Sequence, residues 1–565
     1  MPTAGTRPSR PGATRCARSP PSRRERSRRS RSTAPSCSCG SVGAARRPSR
    51  CRRCCGPWTS RSSAATNIDV NYFRLPLPWR ATVPEGGGVS ADPSPADPSP
   101  AEVSQDRAYG DRVVAVEPGG NEPIPAAERH GRPRQLFWTW TSPNLEFATI
   151  FVGVLSVSAF GLTFPQAVAA VLLGNAISAL AHALLSARAP AAGVPQMVLG
   201  RLAFGYRGNA APAALMTITS GFGWFAVNSV SAAFALDALT GVPAAACLVV
   251  VVLVQIGVAF VGHNLVQAFE RFAFPVLAVV FAIGAAIVLA QSDPGFLPEG
   301  GGTGGVGGFL LTVGAVVGYT AGWTPYAADY ARYLPADSSR LRTGLAAGLG
   351  LFGSTSVLMI VGAASVSATA AAGIVSDNPA TAFVGVLPGA LAALTLLAIA
   401  LGAVAANVLN VYSGAMAFLS AGVDVPLRWA RAVVALAFGV VGFVIAVLAL
   451  GDAAHSYEAF LLVIVYWIGP WLGVVLTDQY LRRGRLPAEL LYDRAHRNHA
   501  GLVALVVGIV VSVPLFSNQV LFTGLVPRLV PGVGDVTFLV GFVLAALVYA
   551  LLFRRVAARP AGPAE

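Results

Sequence analysis

The sequence predicts an all-α polytopic membrane protein with twelve transmembrane helices. Of its 565 residues, 54% are hydrophobic and only 12% are charged, with mean hydropathy +0.60. That is too apolar for a soluble globular domain. Apolar runs of the length a bilayer demands, about 18 residues or more, recur from Asn144 to Phe553. Arginine also favours alternate connecting segments.

In order, the spans fall near 144–163, 166–187, 210–236, 243–262, 271–291, 308–328, 344–367, 383–406, 430–450, 457–477, 499–516 and 534–553. With the N-terminus inside, the near-membrane segments on the cytoplasmic side carry twenty arginines, from Arg129 to Arg559. The outer loops carry Arg528 alone. This alternation supports an even count, cytoplasmic N- and C-termini and a multi-pass protein of the plasma (inner) membrane. The outer loop at 298–308 is Gly-rich, but no strand precedes it and no basic residue follows. It reads as a hinge before span 6 rather than a phosphate cradle.

Three domains are expected. Residues 1–135 form an Arg-rich, then Pro/Ser-rich, N-terminal extension. Residues 136–480 form a ten-helix core, and 481–565 two further transmembrane helices with a short tail. The net charge of +14 is concentrated in the extension, since residues 1–65 hold sixteen Arg against one Glu. Six of the seven cysteines lie there, and ADPSP occurs twice, at 91–95 and 96–100. Cys51-x-x-Cys54 lacks a well-spaced second pair for a zinc site. Such a segment cannot bury a core and is expected to be disordered, with translation from upstream of the true start as one origin for it. Arg-rich stretches also bind nucleic acid or anionic lipid, which keeps open a second class, a membrane-anchored binding protein acting through this tail. The chain has no lysine, so it has no Walker A loop and no Schiff-base lysine. No HExxH motif or nucleophile–base pair stands at usable spacing, so no enzyme, cofactor or metal site is expected.

Polar and aromatic residues inside the spans are costly in lipid and therefore informative. In span 3, Trp224 and Asn228 are four apart and share a helix face. A flat ring beside an amide suits a planar heterocycle with donor and acceptor edges; an interfacial Trp and a packing Asn are the plainer alternative. In span 6, Gly318, Gly322 and Pro325 weaken the helix beside Tyr319, Thr320 and Trp323. Interrupted helices at membrane depth are tolerated where they line a cavity, although a Gly-mediated helix contact would also explain them. In span 8, Asn407 and Asn410 share a face before Tyr412, either as ligands or as helix–helix hydrogen bonds. Span 1 looks interruptible around Gly153, Ser156, Ser158 and Gly161. Spans 1 and 6 are five apart, the interval for two five-helix units in inverted topology, each opening on a broken helix.

With these residues in hand, the chain resembles the nucleobase:cation symporter family, the purine–cytosine permeases and hydantoin/allantoin transporters. The resemblance covers roughly 120–480. It rests on NLEFATIFVGVL (144–155), GVPQMVLGRLAFGYRGNAAPA (193–213), GWFAVN (223–228), WTPYAADYARYLP (323–335) and ANVLNVYS (406–413). It implies a 5+5 inverted-repeat core with two trailing helices, and alternating access around a midplane site between spans 1, 3, 6 and 8. By position it implies that Trp224 stacks on the ligand, that Asn228 and Asn407 hydrogen-bond it, and that the backbone near Gly318 and Tyr319 is unwound.

Two departures stand out. Counting back from Asp329, the second stacking aromatic of the family falls on Thr320; Tyr319 or Trp323 is left to supply the ring. Sodium-coupled relatives carry adjacent hydroxyls where this chain has Leu401-Gly402, which offer no hard oxygen ligands. A co-transported proton is therefore expected rather than sodium. Glu146 and His182 are candidate proton carriers, with satisfied helix-end roles as the plainer reading for both. Asp329 and Arg332 fall at the inner end of span 6, as inner-gate or helix-end residues. The expected function is import of a small heterocycle, cytosine or a purine first, with allantoin, hydantoin, thiamine or a pyridoxine-like vitamin as other cargoes of the same fold. The expected partners are that substrate and the lipid bilayer, with no nucleic acid.

Overall fold

The computed structural model describes residues 120–557 except 262, 299–303, 377, 424–426, 520–521 and 531. Residues 1–65, the Cys51/Cys54 pair and the ADPSP repeats, read above as disordered, lie outside the described residues. Eight helices among those described are long and apolar enough to cross a membrane, and four shorter apolar helices stand at the remaining expected places. They are named here α1 (Phe147–Ser158), α2 (Phe164–Ser186), α3 (Ala210–Thr240), α4 (Ala244–Val261), α5 (His263–Gln291) and α6 (Gly305–Ala321). The rest are α7 (Arg340–Ala371), α8 (Gly389–Ser420), α9 (Leu427–Ala449), α10 (Ala453–Leu481), α11 (His499–Phe516) and α12 (Thr537–Ala557). The chain is an all-α polytopic membrane protein, and the arrangement is consistent with twelve crossings.

Local chemistry sets several of these boundaries. Thr163 and Gln166 form a reciprocal capping box ahead of α2, with Pro165 in its first turn. The Ser339 side chain caps α7, and Asn378 caps the short helix Pro379–Val384 before α8. Between α11 and α12, Asn518 and Gln519 pair antiparallel with Thr523 and Phe522.

Among the described residues, breaks that each carry a proline lie just before α1 and just after α6. A short helix, Gln135–Thr141, runs into a 3₁₀ turn at Ser142–Asn144 around Pro143. Glu146 is extended (φ −148°, ψ 171°), and only then does α1 begin. Likewise α6 ends at Ala321, passes through a 3₁₀ turn at Thr324–Tyr326 around Pro325, and resumes over Ala327–Ala331. Proline has no N–H to continue the ladder, so the chain unwinds where Pro143 and Pro325 stand.

This corrects the expected position of the α1 break and narrows that of α6, where Gly322 and Pro325 fall in the turn as expected but Gly318 does not. Gly153 and Ser156 lie inside regular helix, and Gly318 precedes the α6 break. A Cβ on Gly153 would strike the Met359 carbonyl, and one on Gly362 would strike the Ile150 carbonyl. This reciprocal pair lets the α1 and α7 backbones touch, as small residues do between membrane helices. A Cβ on Gly318 would meet the Leu461 carbonyl of α10. The Ser156 hydroxyl only returns to the Gly153 carbonyl, at 2.5 Å.

Residues 120–134 also depart from expectation, because they pack on the bundle instead of belonging to a disordered extension. Ile124 N–H donates to the Gly193 carbonyl (2.9 Å), and His130 N–H to the Tyr333 carbonyl (2.7 Å). Arg129 reaches the Pro190 carbonyl (2.7 Å), and Arg332 donates to the Gly120 carbonyl (2.9 Å). Ile124 is buried against Tyr333. Arg188 reaches the Arg485 carbonyl and Arg201 the Leu491 carbonyl, at 3.2 and 3.1 Å. Arginines assigned to one side by the charge pattern thus gather at one end of the bundle.

Candidate functional site

The two breaks meet. Trp323 Nε1, in the α6 break, donates to Asn144 Oδ1 in the α1 break (2.9 Å). Asn144 Nδ2 in turn donates to the Trp140 carbonyl (2.7 Å). The Thr149 hydroxyl donates to the Asn144 carbonyl (2.7 Å) and stands 2.5 Å from the Tyr319 hydroxyl. Tyr319 lies within hydrogen-bond distance of Glu146 Oε1, at 3.1 Å. Backbone groups freed by the breaks are thus met by side chains, the condition for unwound chain at membrane depth.

Trp224 closes a six-residue π-helical turn in α3, Thr219–Trp224. Its ring stands edge-to-face with Tyr319 (centroids 5.3 Å, 88°) and with Phe460 of α10 (5.0 Å, 85°). Gly322 abuts the same indole, since a Cβ there would lie 3.1 Å from Trp224 Cζ2. Of the two rings proposed to accompany Trp224, Tyr319 is the one beside it. Trp323 turns to Trp140 and Tyr326 (5.9 and 5.3 Å).

Thr320 points elsewhere and is corrected as a ligand-facing residue. It is fully buried, and its hydroxyl donates to Asn175 Oδ1 of α2 (2.5 Å). Asn175 Nδ2 donates on to Ser356 Oγ of α7 (3.1 Å). One residue on from Tyr319 is about 100° around the helix, so the two side chains serve different faces.

A cluster of amides joins α3 to α8. Asn228 Nδ2 and Asn410 Nδ2 both donate to Asn407 Oδ1 (3.0 and 3.1 Å). Asn407 Nδ2 donates to the Phe225 carbonyl (2.9 Å) and to Ser229 Oγ (3.2 Å). The Tyr326 hydroxyl donates to Asn410 Oδ1 (2.8 Å). Asn407 and Asn410 are held by protein partners. Asn228 Oδ1 is buried and has no partner, so it is the free acceptor of the cluster.

A cavity of about 130 Å³ lies alongside, bounded by Phe147, Ala148, Gly223, Val227, Tyr457 and Phe460 among others. It shares Phe147, Phe151 and Pro379 with a wider recess of about 600 Å³ lined also by Asp452, His455 and Glu458. The recess reaches the C-terminal end of α1 at Ser158 and Ala159, and the smaller cavity reaches Gly223 and Phe460, which flank Trp224. At the end of α6 that follows its break, polar side chains tie neighbouring elements together. Asp329 Oδ1 accepts from Gln196 N–H (2.8 Å). Arg332 donates to the Tyr412 and Tyr333 hydroxyls (3.0 and 3.2 Å). Both side chains are buried, and with Gly120 they tie together α8, the end of α6 and the N-terminal segment. His182 is buried with its ring edge-to-face on Trp140 (4.2 Å).

Sequence reasoning passed over Phe460, Asn144 and Thr149 as site residues. Asn144 had a signal, standing directly after Pro143. Phe460 had none, because it joins the site only through the packing of α10.

A family profile described as permease for cytosine/purines, uracil, thiamine, allantoin matches residues 123–541. The chain is similar to a putative purine-cytosine permease of Bacillus subtilis (28% identical, 78% of this chain and 96% of that protein). It is equally similar to a purine-cytosine permease of Emericella nidulans (28%, 79% and 91%). In fold it is similar to a nucleobase-cation-symport-1 family transporter solved in a closed conformation with bromovinylhydantoin bound (TM-score 0.60, 22% identity, 78% of this chain and 95% of that one). The inward-facing form of that transporter matches at TM-score 0.59 and 21% identity, over 79% and 99% of the two chains.

Proposed function

The chain belongs to the family of permeases for cytosine/purines, uracil, thiamine and allantoin, and on that premise we propose that it imports a nucleobase-like heterocycle. Cytosine or a purine is the first substrate, and a proton is the coupled ion. The family is one of membrane transporters, not of enzymes.

One observation carries the substrate reading: the Trp224–Tyr319 ring pair stands close to an amide cluster with one free acceptor, Asn228 Oδ1. Stacking on an aromatic platform contributes about 1–3 kcal/mol per base. An amide acceptor then favours a ring edge bearing N–H, such as the exocyclic amine of cytosine or adenine. Binding that bridges Trp224 of α3 and Tyr319 of α6 favours one side of the carrier over the other and so shifts its conformational balance. The plasma membrane, with both termini cytoplasmic, is the location in keeping with the arginine distribution.

Proton coupling is favoured by the α8 position that would have to supply a sodium ligand. A Cβ on Gly402 would lie against the Leu145 carbonyl and 3.0 Å from Glu146 Cβ, so a side-chain oxygen has no room there. The same fold carrying allantoin, hydantoin or thiamine is the second reading, favoured by the family's description and by the hydantoin held in the solved relative.

The test is uptake in a host lacking its own nucleobase carriers. Labelled cytosine should accumulate without sodium and lose accumulation with a protonophore, with adenine competing better than allantoin. Uptake that needs sodium and ignores the protonophore removes the proton reading. Allantoin or hydantoin competing better than either nucleobase favours the second.

A further inference from the structure

Resting on the proton-coupled reading above, we propose that Glu146 is the group that carries the coupled proton, and that it reports its protonation to the substrate site through Tyr319. Glu146 is 1% exposed, and its Oε2 has no hydrogen-bond partner. It occupies the extended residue of the α1 break, against Gly402 of α8. The titratable groups facing it among the described residues are Tyr319 of α6 and Tyr457 of α10. The Tyr457 hydroxyl donates instead to the Ala148 carbonyl (3.0 Å). On either side of Glu146 in the chain, Leu145 and Phe147 pack in an apolar cluster with Leu277 of α5 and Leu358 of α7. An ionised carboxylate would therefore be buried with one oxygen unpaired and the other beside a neutral hydroxyl, an arrangement that disfavours the charged form.

Counting hydrogens sharpens this. Glu146, Tyr319, Thr149 and the Asn144 carbonyl form a row with three oxygen–oxygen contacts of 3.1, 2.5 and 2.7 Å. Each contact requires one hydrogen, but the two hydroxyls supply only two. The third arrives if Glu146 is protonated: its O–H donates to Tyr319, Tyr319 to Thr149, and Thr149 to the Asn144 carbonyl. With Glu146 ionised, Tyr319 turns its hydrogen to the carboxylate. Thr149 must then choose between Tyr319 and the α1 break. The row therefore closes only in the protonated state, and at its far end stands the residue that also receives Trp323 from the α6 break. In its middle stands the ring packed on Trp224.

The cycle balances without another reactant. With the carrier open outward, hydronium gives its proton to a Glu146 oxygen: one O–H bond breaks in hydronium, leaving water, and one forms on the carboxyl. Substrate binds to the closed row. After the carrier opens inward, that O–H bond breaks to water, and the ionised row favours release. One proton accompanies one heterocycle.

The test compares wild type, Glu146→Gln and Tyr319→Phe, reconstituted in proteoliposomes with labelled cytosine. The Gln amide can donate to Tyr319 as the protonated acid does, so it holds the row closed at every pH. Wild-type Kd should rise up to about tenfold per pH unit on the alkaline limb, the slope of one linked proton. Glu146→Gln should bind with wild-type acid-limb affinity across the whole range and perform counterflow exchange. It should show no accumulation driven by an imposed pH gradient. Tyr319→Phe removes the middle hydroxyl and should move the midpoint of the wild-type profile by about one unit or more; an unmoved profile overturns the proposal even if Glu146→Gln does not fold. Gradient-driven accumulation or a wild-type pH profile in Glu146→Gln also overturns it, while the transport reading survives. Wild type that carries no heterocycle, or carries it on sodium alone, overturns the reading and the proposal together.

Discussion

Asn228 and Asn407 are both buried amides in one cluster, yet truncating them should have opposite consequences. Asn407 Oδ1 receives two amide donors, from Asn228 and Asn410. Asn407→Ala strands both. A buried donor left unpaired costs about 1–3 kcal/mol, so the fold should lose about 2–6 kcal/mol. The Phe225 carbonyl is not stranded, since Ser229 also donates to it (2.7 Å). Asn228→Ala strands nothing: Asn407 Oδ1 keeps Asn410, and an unpartnered acceptor disappears. Its stability should stay within about 1 kcal/mol of wild type. If Asn228 Oδ1 receives the substrate, however, affinity should fall by about 1–3 kcal/mol, or roughly 5- to 150-fold. Thermal unfolding of the purified protein in detergent reads the first quantity, and equilibrium binding of labelled cytosine the second. Asn228→Ala that loses stability and keeps its affinity would refute the assignment, making that amide part of the packing.

Deleting residues 1–119 should leave transport and Tm unchanged, whereas deleting 1–131 removes the contacts of Gly120, Ile124, Arg129 and His130 and should lower Tm and raise inward leak. Loss of transport on the shorter deletion would instead favour a role for the basic tail. Gly402→Ser should lower Tm through collision with the Leu145 carbonyl and should confer no sodium dependence; sodium-stimulated uptake in that variant would contradict the packing described. Gly153→Leu should be destabilised by several kcal/mol or fail to express, because the α1–α7 backbones must part, while Ser156→Ala should transport as wild type in the same uptake assay.

Much of this architecture follows from patterns visible in one dimension. Apolar runs and arginine alternation locate the helices because lipid and water impose those choices directly, and α11 begins and ends where the apolar run does, at His499 and Phe516. Spacing places the α6 break at Pro325 but not the α1 break, and the reason is physical. Glycine inside a membrane helix marks unwinding in some settings and close approach in others, and only three-dimensional packing distinguishes them. Gly153 and Gly318 are of the second kind, whereas Pro143 and Pro325 mark the actual turns. Register alone places Thr320 on the substrate side, but the helix remains regular through Ala321 and turns it to Asn175. The proton count along Glu146, Tyr319 and Thr149 has no counterpart in spacing, because it links residues 170 positions apart.

The most direct measurement is uptake of labelled cytosine, adenine, allantoin and hydantoin by proteoliposomes holding wild type or Trp224→Ala. Wild type should carry cytosine or adenine saturably. Trp224→Ala, losing a stacking face worth about 1–3 kcal/mol, should need roughly 5- to 150-fold more substrate for the same rate. Four substrates carried equally by both proteins, or none carried by either, would contradict a heterocycle transporter built around Trp224.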